Sequence, residues 1–231
     1  MEQQNFTQKK NYILLSLLIF SLAVTFIDAV VHPAYILKIP IKIIFFLALP
    51  MIFFAIYREE WAEFKKLFKF QKQGLLFAFL LALAVFSVIL GGYFLTRNYI
   101  DFSAVTTSLT SGMGITADNF LYVAIYISIM NSFLEEFFFR GFGFITLKKY
   151  VNLKFAYLYS PVLFAIYHVG MLVNMFHPAV LLLLMLGLIV GGLIFNALND
   201  KFGNIYPSWF VHMAANFAIN TVGFILFGVI G

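Results

Sequence analysis

The chain has 231 residues, 63% of them hydrophobic and 11% charged, with a mean hydropathy of +0.96. That balance excludes a soluble globular domain and implies an integral membrane protein. The net charge of +5 falls in short groups between apolar stretches, which argues against a nucleic-acid partner, and with no cysteine there is no disulfide, thiol nucleophile or thiolate metal ligand.

A helix crossing the ~30 Å hydrocarbon core needs roughly 20 apolar residues. Seven stretches meet that need, at about residues 12–31, 39–57, 75–96, 119–144, 155–176, 179–198 and 206–230. The fold predicted is all-α, a polytopic bundle of about seven transmembrane helices forming a single domain over 1–231, with no internal repeat. The first stretch is too long for a signal-peptide core and has no small-residue cleavage site, so it is expected to be a retained helix. Asp28 lies close enough to its end to reach the headgroups, and His32 follows it in an interfacial position. Pro50 in the second stretch is a possible kink that opens a lateral entry. Residues 58–73 put Trp61, Phe64 and Phe68 on one face among lysines, which predicts an amphipathic helix lying in the interface with that face on lipid. In the sixth stretch, Gly187 and Gly191 are four apart and are expected to admit a close neighbouring backbone. His177, before Pro178, belongs to the turn leading into it.

Of fifteen Lys and Arg, eleven fall on one side of such a bundle, three (Lys38, Lys42 and Arg97) on the other, and Arg140 lies inside the fourth stretch. Basic residues concentrate on the cytoplasmic side. The expectation is a multi-pass cell-membrane protein with its N-terminus cytoplasmic and its C-terminus external.

The polar residues at membrane depth are few. The fourth stretch contains NSFLEEFFFRGF, residues 131–142, with Glu135 about ten residues or ~15 Å from the helix end. A charged side chain there costs roughly 2.5–3.5 kcal/mol on insertion scales, so intramembrane acids usually face a cavity and serve function. Glu136 and Arg140 are four apart, about 40° around a helix, and can pair. Glu135 is about 140° from Arg140 and is left to point elsewhere. His168 lies ~20 Å deep in the fifth stretch, and His212 lies ~10 Å deep in the seventh with Asn216 one turn further on the same face. Singly, each suits an interhelical hydrogen bond; together with Glu135 they suit a site. Ser128 and Ser132 share the helix of the glutamates but have no histidine adjacent in sequence, and are read as packing or capping groups.

EEFFFR at 135–140, FAIYH at 164–168 and HMAAN at 212–216 resemble, in order, the EExxxR, FxxxH and HxxxN motifs of the CAAX-protease and bacteriocin-processing family of intramembrane proteases. The resemblance runs from about 119 to 220, a candidate catalytic core, and GNIYPSWFVHMAAN resembles the family's entry into its last motif. It implies an intramembrane endopeptidase acting on a membrane-associated or lipidated protein or peptide. In that reading Glu135 activates a water also held by His168, while His212 and Asn216 receive the oxyanion. Glu136 with Arg140 fixes the helix, and Phe164 is a candidate substrate contact. No cofactor is required by this scheme. Zinc is the alternative, with Glu135, His168 and His212 as ligands and a water in the fourth position, although no HExxH spacing is present. A non-catalytic immunity or partner-binding protein, or a proton or ion pathway on the same cluster, are the competing functions. A pathway requires polar groups continuing to the outer face, where the sequence reads as almost wholly apolar, so the site is expected to open toward the cytoplasm.

Overall fold

A bilayer offers backbone groups no hydrogen-bond partner, so an apolar chain of this kind satisfies them within helices. The computed structural model describes residues 2–231, and among these seven helices are long and apolar enough to cross a membrane. They are Glu2–Val31, Tyr35–Ile56, Leu75–Thr96, Ala117–Lys149, Leu153–Leu172, Pro178–Phe202 and Tyr206–Leu226, here the first to seventh spans. The first and fourth are longer than the sequence suggests, because polar first and last turns extend the helices beyond their apolar segments.

Local chemistry sets the ends. Thr116 and Asn119 form a capping box at the start of the fourth span, and the Asn152 side chain accepts from Phe155 N–H at 2.8 Å at the start of the fifth. His177 caps the sixth by accepting from Ala179 N–H, and Gly203, at φ 68°, ends it in the left-handed conformation. The second span runs unbroken through Pro40 and Pro50. The fourth changes winding twice, with π-helical segments at Tyr126–Asn131 and Glu136–Thr146 around the turn Ser132–Glu135. Such wide turns re-aim side chains and recur at functional sites.

The seventh span packs along the third, the fifth against the sixth, and the first against the fifth. Phe20, Phe46, Phe138, Phe139 and Tyr167 interlock in a buried aromatic cluster where the first, second, fourth and fifth spans meet. Close approach is carried by glycines other than those expected. Gly187 and Gly191 have open space where a Cβ would stand, whereas a Cβ on Gly192 would lie 2.7 Å from Pro161 Cβ and 3.2 Å from Arg140 Nη2. Helix pitch explains the error, since the small-residue repeat faces outward and its neighbour faces in. Gly170 similarly admits the backbone of Thr25 and the side chain of Asp28. Ser132 and Ser128 are tied to the seventh span through Trp209 and Asn220, in keeping with packing roles.

At one end of the bundle Glu60 gathers Lys149 at 2.8 Å, Lys9 at 3.1 Å and the Tyr150 hydroxyl. Burial pushes this carboxyl up, but the hydrogen bonds from Lys149, Tyr150 and Lys9 outweigh it and hold it at about 2. The interfacial helix is shorter than expected, Trp61–Leu67. Its aromatic face lies on protein rather than on lipid: Phe64 and Phe68 meet Phe137 of the fourth span at 6.0 and 5.5 Å, and Leu67 is fully buried. Trp61 stacks on Phe64 and stays partly exposed. The apolar partner surface on the fourth span could not be read from the helix's own amphipathicity.

Candidate active site

The fourth span presents Glu135 and Glu136 on different sides, and both are buried. Glu136 Oε1 lies 3.4 Å from Arg140 Nη1, the pairing expected from their spacing, although the helix there is π-wound. Arg140 is fully buried, with Phe164 and Phe195 at 4.1 and 5.1 Å from its guanidinium. Around this fully buried guanidinium the aromatic cage supplies cation–π attraction, about 2 kcal/mol or more for a desolvated contact. It helps offset the desolvation of a buried cation.

Glu135 turns away from Arg140. Its Oε1 accepts from Asn131 Nδ2 at 2.6 Å and from the Tyr167 hydroxyl at 3.1 Å. Its Oε2 faces His212 Nε2 at 3.5 Å. The other ring nitrogen, His212 Nδ1, lies 2.9 Å from Glu136 Oε1. The imidazole therefore stands between the two carboxylates, stacked on Phe195 and edge-on to Phe164. An ionised carboxylate accepts only, so Nδ1–H donates to Glu136 while Nε2 faces Glu135.

His168 is positioned by its own helix. Its Nδ1 is 2.7 Å from the Phe164 carbonyl, which can only accept, so Nδ1 carries the proton and Nε2 presents a lone pair. Phe164 bridges the two histidines, with ring centroids 4.6 Å from His168 and 5.8 Å from His212. It is only 3% exposed, and one face is occupied by Arg140. Its place is thus that of a packing partner within the cluster, not an open contact surface. Asn216 makes no hydrogen bond to the glutamates or histidines. Its amide donates to the Ile127 carbonyl at 3.2 Å, which ties the seventh span to the fourth. Among the described residues no three His, Asp or Glu side chains stand together as a metal-ligating group.

Three features escaped the sequence. Asn131 and Tyr167 fix the Glu135 carboxylate, yet one is a single turn before it on a π-wound helix and the other comes from another span. The four-residue spacing permits the first contact, but nothing in the sequence singles out the second. The third feature is charge beyond Glu135. Asp28, expected at the headgroups, is buried and pairs with buried Lys38 at 2.7 Å, and Lys42 Nζ lies 4.9 Å from the centre of the Tyr167 ring. That half of the bundle is therefore not wholly apolar. Asp28 and Lys38 come from consecutive spans and meet beside their connection, where Gly170 admits the Asp28 side chain.

The fold and these clustered groups describe a polytopic helical membrane protein with a buried cluster of carboxylates and histidines shared by the fourth, fifth and seventh spans. Residues 117–218 match the family described as Type II CAAX prenyl endopeptidase Rce1-like, a segment that contains all three motifs. Over that segment the chain is similar to the CAAX-type prenyl endopeptidases to which the motifs pointed. No curated protein and no solved structure matches the chain.

Proposed function

We propose that the protein is an intramembrane endopeptidase that hydrolyses a peptide bond of a membrane-associated protein or peptide. The observation that carries this reading is the Glu135 carboxylate, held on one oxygen by Asn131 and Tyr167 and facing His212 with the other. A carboxylate so oriented is a general base. Glu135 takes a proton from a water that also donates to the His168 Nε2 lone pair, and the hydroxide attacks the scissile carbonyl. His212, kept protonated at Nδ1 by Glu136, offers Nε2–H to the developing oxyanion when it carries the second proton. Glu135 then returns its proton to the leaving amine as the C–N bond breaks. Asn216 assists the oxyanion through the amide hydrogen not directed at Ile127. Arg140 and Phe164 position this array and do not touch the reacting atoms. Comparing membrane proteomes of a wild-type and a Glu135→Gln strain tests the reading: one or more membrane proteins should persist uncleaved in the mutant, and identical proteomes count against hydrolysis.

The charge asymmetry supports a multi-pass cell-membrane protein whose N-terminus, Lys72, Lys149 and Lys201 are cytoplasmic and whose site opens to that side. Reporter fusions after Lys72 and Ser111 should read cytoplasmic and external respectively. The reverse result would invert the topology.

A second reading is favoured by the Asp28–Lys38 pair and Lys42, because they continue the buried polar groups past Glu135. They suit a proton pathway. Proton flux into vesicles that disappears in Glu135→Gln protein, without any peptide cleavage, would establish that alternative.

A further inference from the structure

The buried charges on the two sides of Tyr167 are unequally matched. Asp28 is in contact with Lys38 at 2.7 Å and Glu136 with Arg140 at 3.4 Å. Glu135 and Lys42 remain, and they are not in contact with each other. Lys42 has no carboxylate within 4.0 Å and no hydrogen-bond acceptor among the described residues. Its ammonium rests on the face of the Tyr167 ring, and the hydroxyl of the same tyrosine donates to Glu135 Oε1 at 3.1 Å. The charged and titratable groups around it are Asp28 from the first span, Lys38 from its own, Glu135 from the fourth and His168 from the fifth. Asp28 is already occupied by Lys38, and both Glu135 oxygens face other partners. An ammonium at this depth is costly without an anion. Lys42 is half-buried rather than sealed.

We propose that Lys42 Nζ binds a carboxylate carried by the peptide that enters the Glu135 site, and so helps to determine which peptides are accepted. The assignment rests on the hydrolytic reading but concerns a residue of the second span, outside the segment that matches the protease family. A peptide in a membrane has two sources of such a group, a free chain terminus or an Asp or Glu side chain near the bond. Both would place the anion one tyrosine ring away from the base. An aspartate or glutamate from the protein itself would have filled this position permanently, and none does.

The test measures binding, in the Glu135→Gln protein in nanodiscs of zwitterionic lipid, of fluorescent membrane-tethered peptides in matched pairs. One pair differs only by a free or amidated C-terminus, and another by Glu or Gln beside the bond. With Lys42 present, at least one carboxylate form should bind about tenfold or more tightly than its neutral partner, the scale of one charge-assisted hydrogen bond. Lys42→Met should abolish that preference, and Lys42→Arg should retain it. The proposal is overturned if neither pair shows a preference with Lys42 in place, a result that does not depend on any Lys42 variant being folded. It is also overturned if Lys42→Met weakens charged and neutral peptides equally. Because binding is read in a protein that cannot use Glu135 as a base, absence of hydrolysis in the wild type would leave this result standing and would count only against the catalytic reading.

Discussion

His212 joins two carboxylates that the helix itself points apart: Nδ1 is 2.9 Å from Glu136 and Nε2 is 3.5 Å from Glu135. Glu136 consequently has two tasks, since the same Oε1 also faces Arg140. The division expected between the glutamates, one structural and one chemical, now passes through a histidine.

The two glutamates should therefore respond differently to substitution. In Glu135→Gln the new Oε1 still accepts from Asn131 and Tyr167, so thermal stability in detergent should stay within about 1 kcal/mol of wild type. Glu136→Ala strands buried Arg140 and releases His212, and should cost on the order of 3–5 kcal/mol, as for other broken buried pairs. Equal melting shifts for the two variants would contradict the arrangement.

Gly192 gives a packing prediction. An added methyl would overlap Pro161 and crowd Arg140, so Gly192→Ala should destabilise by about 1–3 kcal/mol. Gly187→Ala and Gly191→Ala meet open space and should stay within about 0.5 kcal/mol. Thermal denaturation of the three variants separates an inward glycine from two that face outward.

Acid should loosen the end of the bundle held by Glu60. Its folded value of about 2 lies below the ordinary 4.5, so its contribution is complete above pH 4.5 and is lost as pH falls toward 2. The contribution is on the order of 2–3 kcal/mol at neutral pH. Glu60→Gln should lower neutral-pH stability by a comparable amount and flatten the acid limb between pH 4.5 and 2 in a melting series. An unchanged acid limb would show that the Lys149, Lys9 and Tyr150 contacts do not persist in solution.

Zinc would have to draw Glu135, His168 and His212 into one ligand set and would consume the free carboxylate. Cleavage should persist after exhaustive chelation with metal loss confirmed by elemental analysis. Loss of activity restored by stoichiometric zinc would make those three residues ligands.

The all-helical fold and its seven spans were legible because hydrophobic runs of that length have one physical outcome in a bilayer. The Glu136–Arg140 pair was legible for a local reason, since four residues on a helix keep two side chains together even where the winding widens. What could not be read depends on which helix faces which. Tyr167 on Glu135, His212 on Glu136, and Asp28 on Lys38 are set by rotation and depth of separate spans, for which a single sequence has no signal. The aromatic face of Trp61–Leu67 was misassigned to lipid for the same reason, because amphipathicity reports an apolar partner without saying whether it is lipid or protein.

The central claim is that Glu135 activates a water that cleaves a peptide bond, and heavy-oxygen water tests it most directly. Purified protein in nanodiscs is incubated with a membrane-tethered peptide in heavy-oxygen water, and the fragments are weighed by mass spectrometry. The account predicts one heavy oxygen in the new carboxyl of the wild-type product and no product from a folded Glu135→Gln protein. Labelled product formed at the wild-type rate by Glu135→Gln would contradict it.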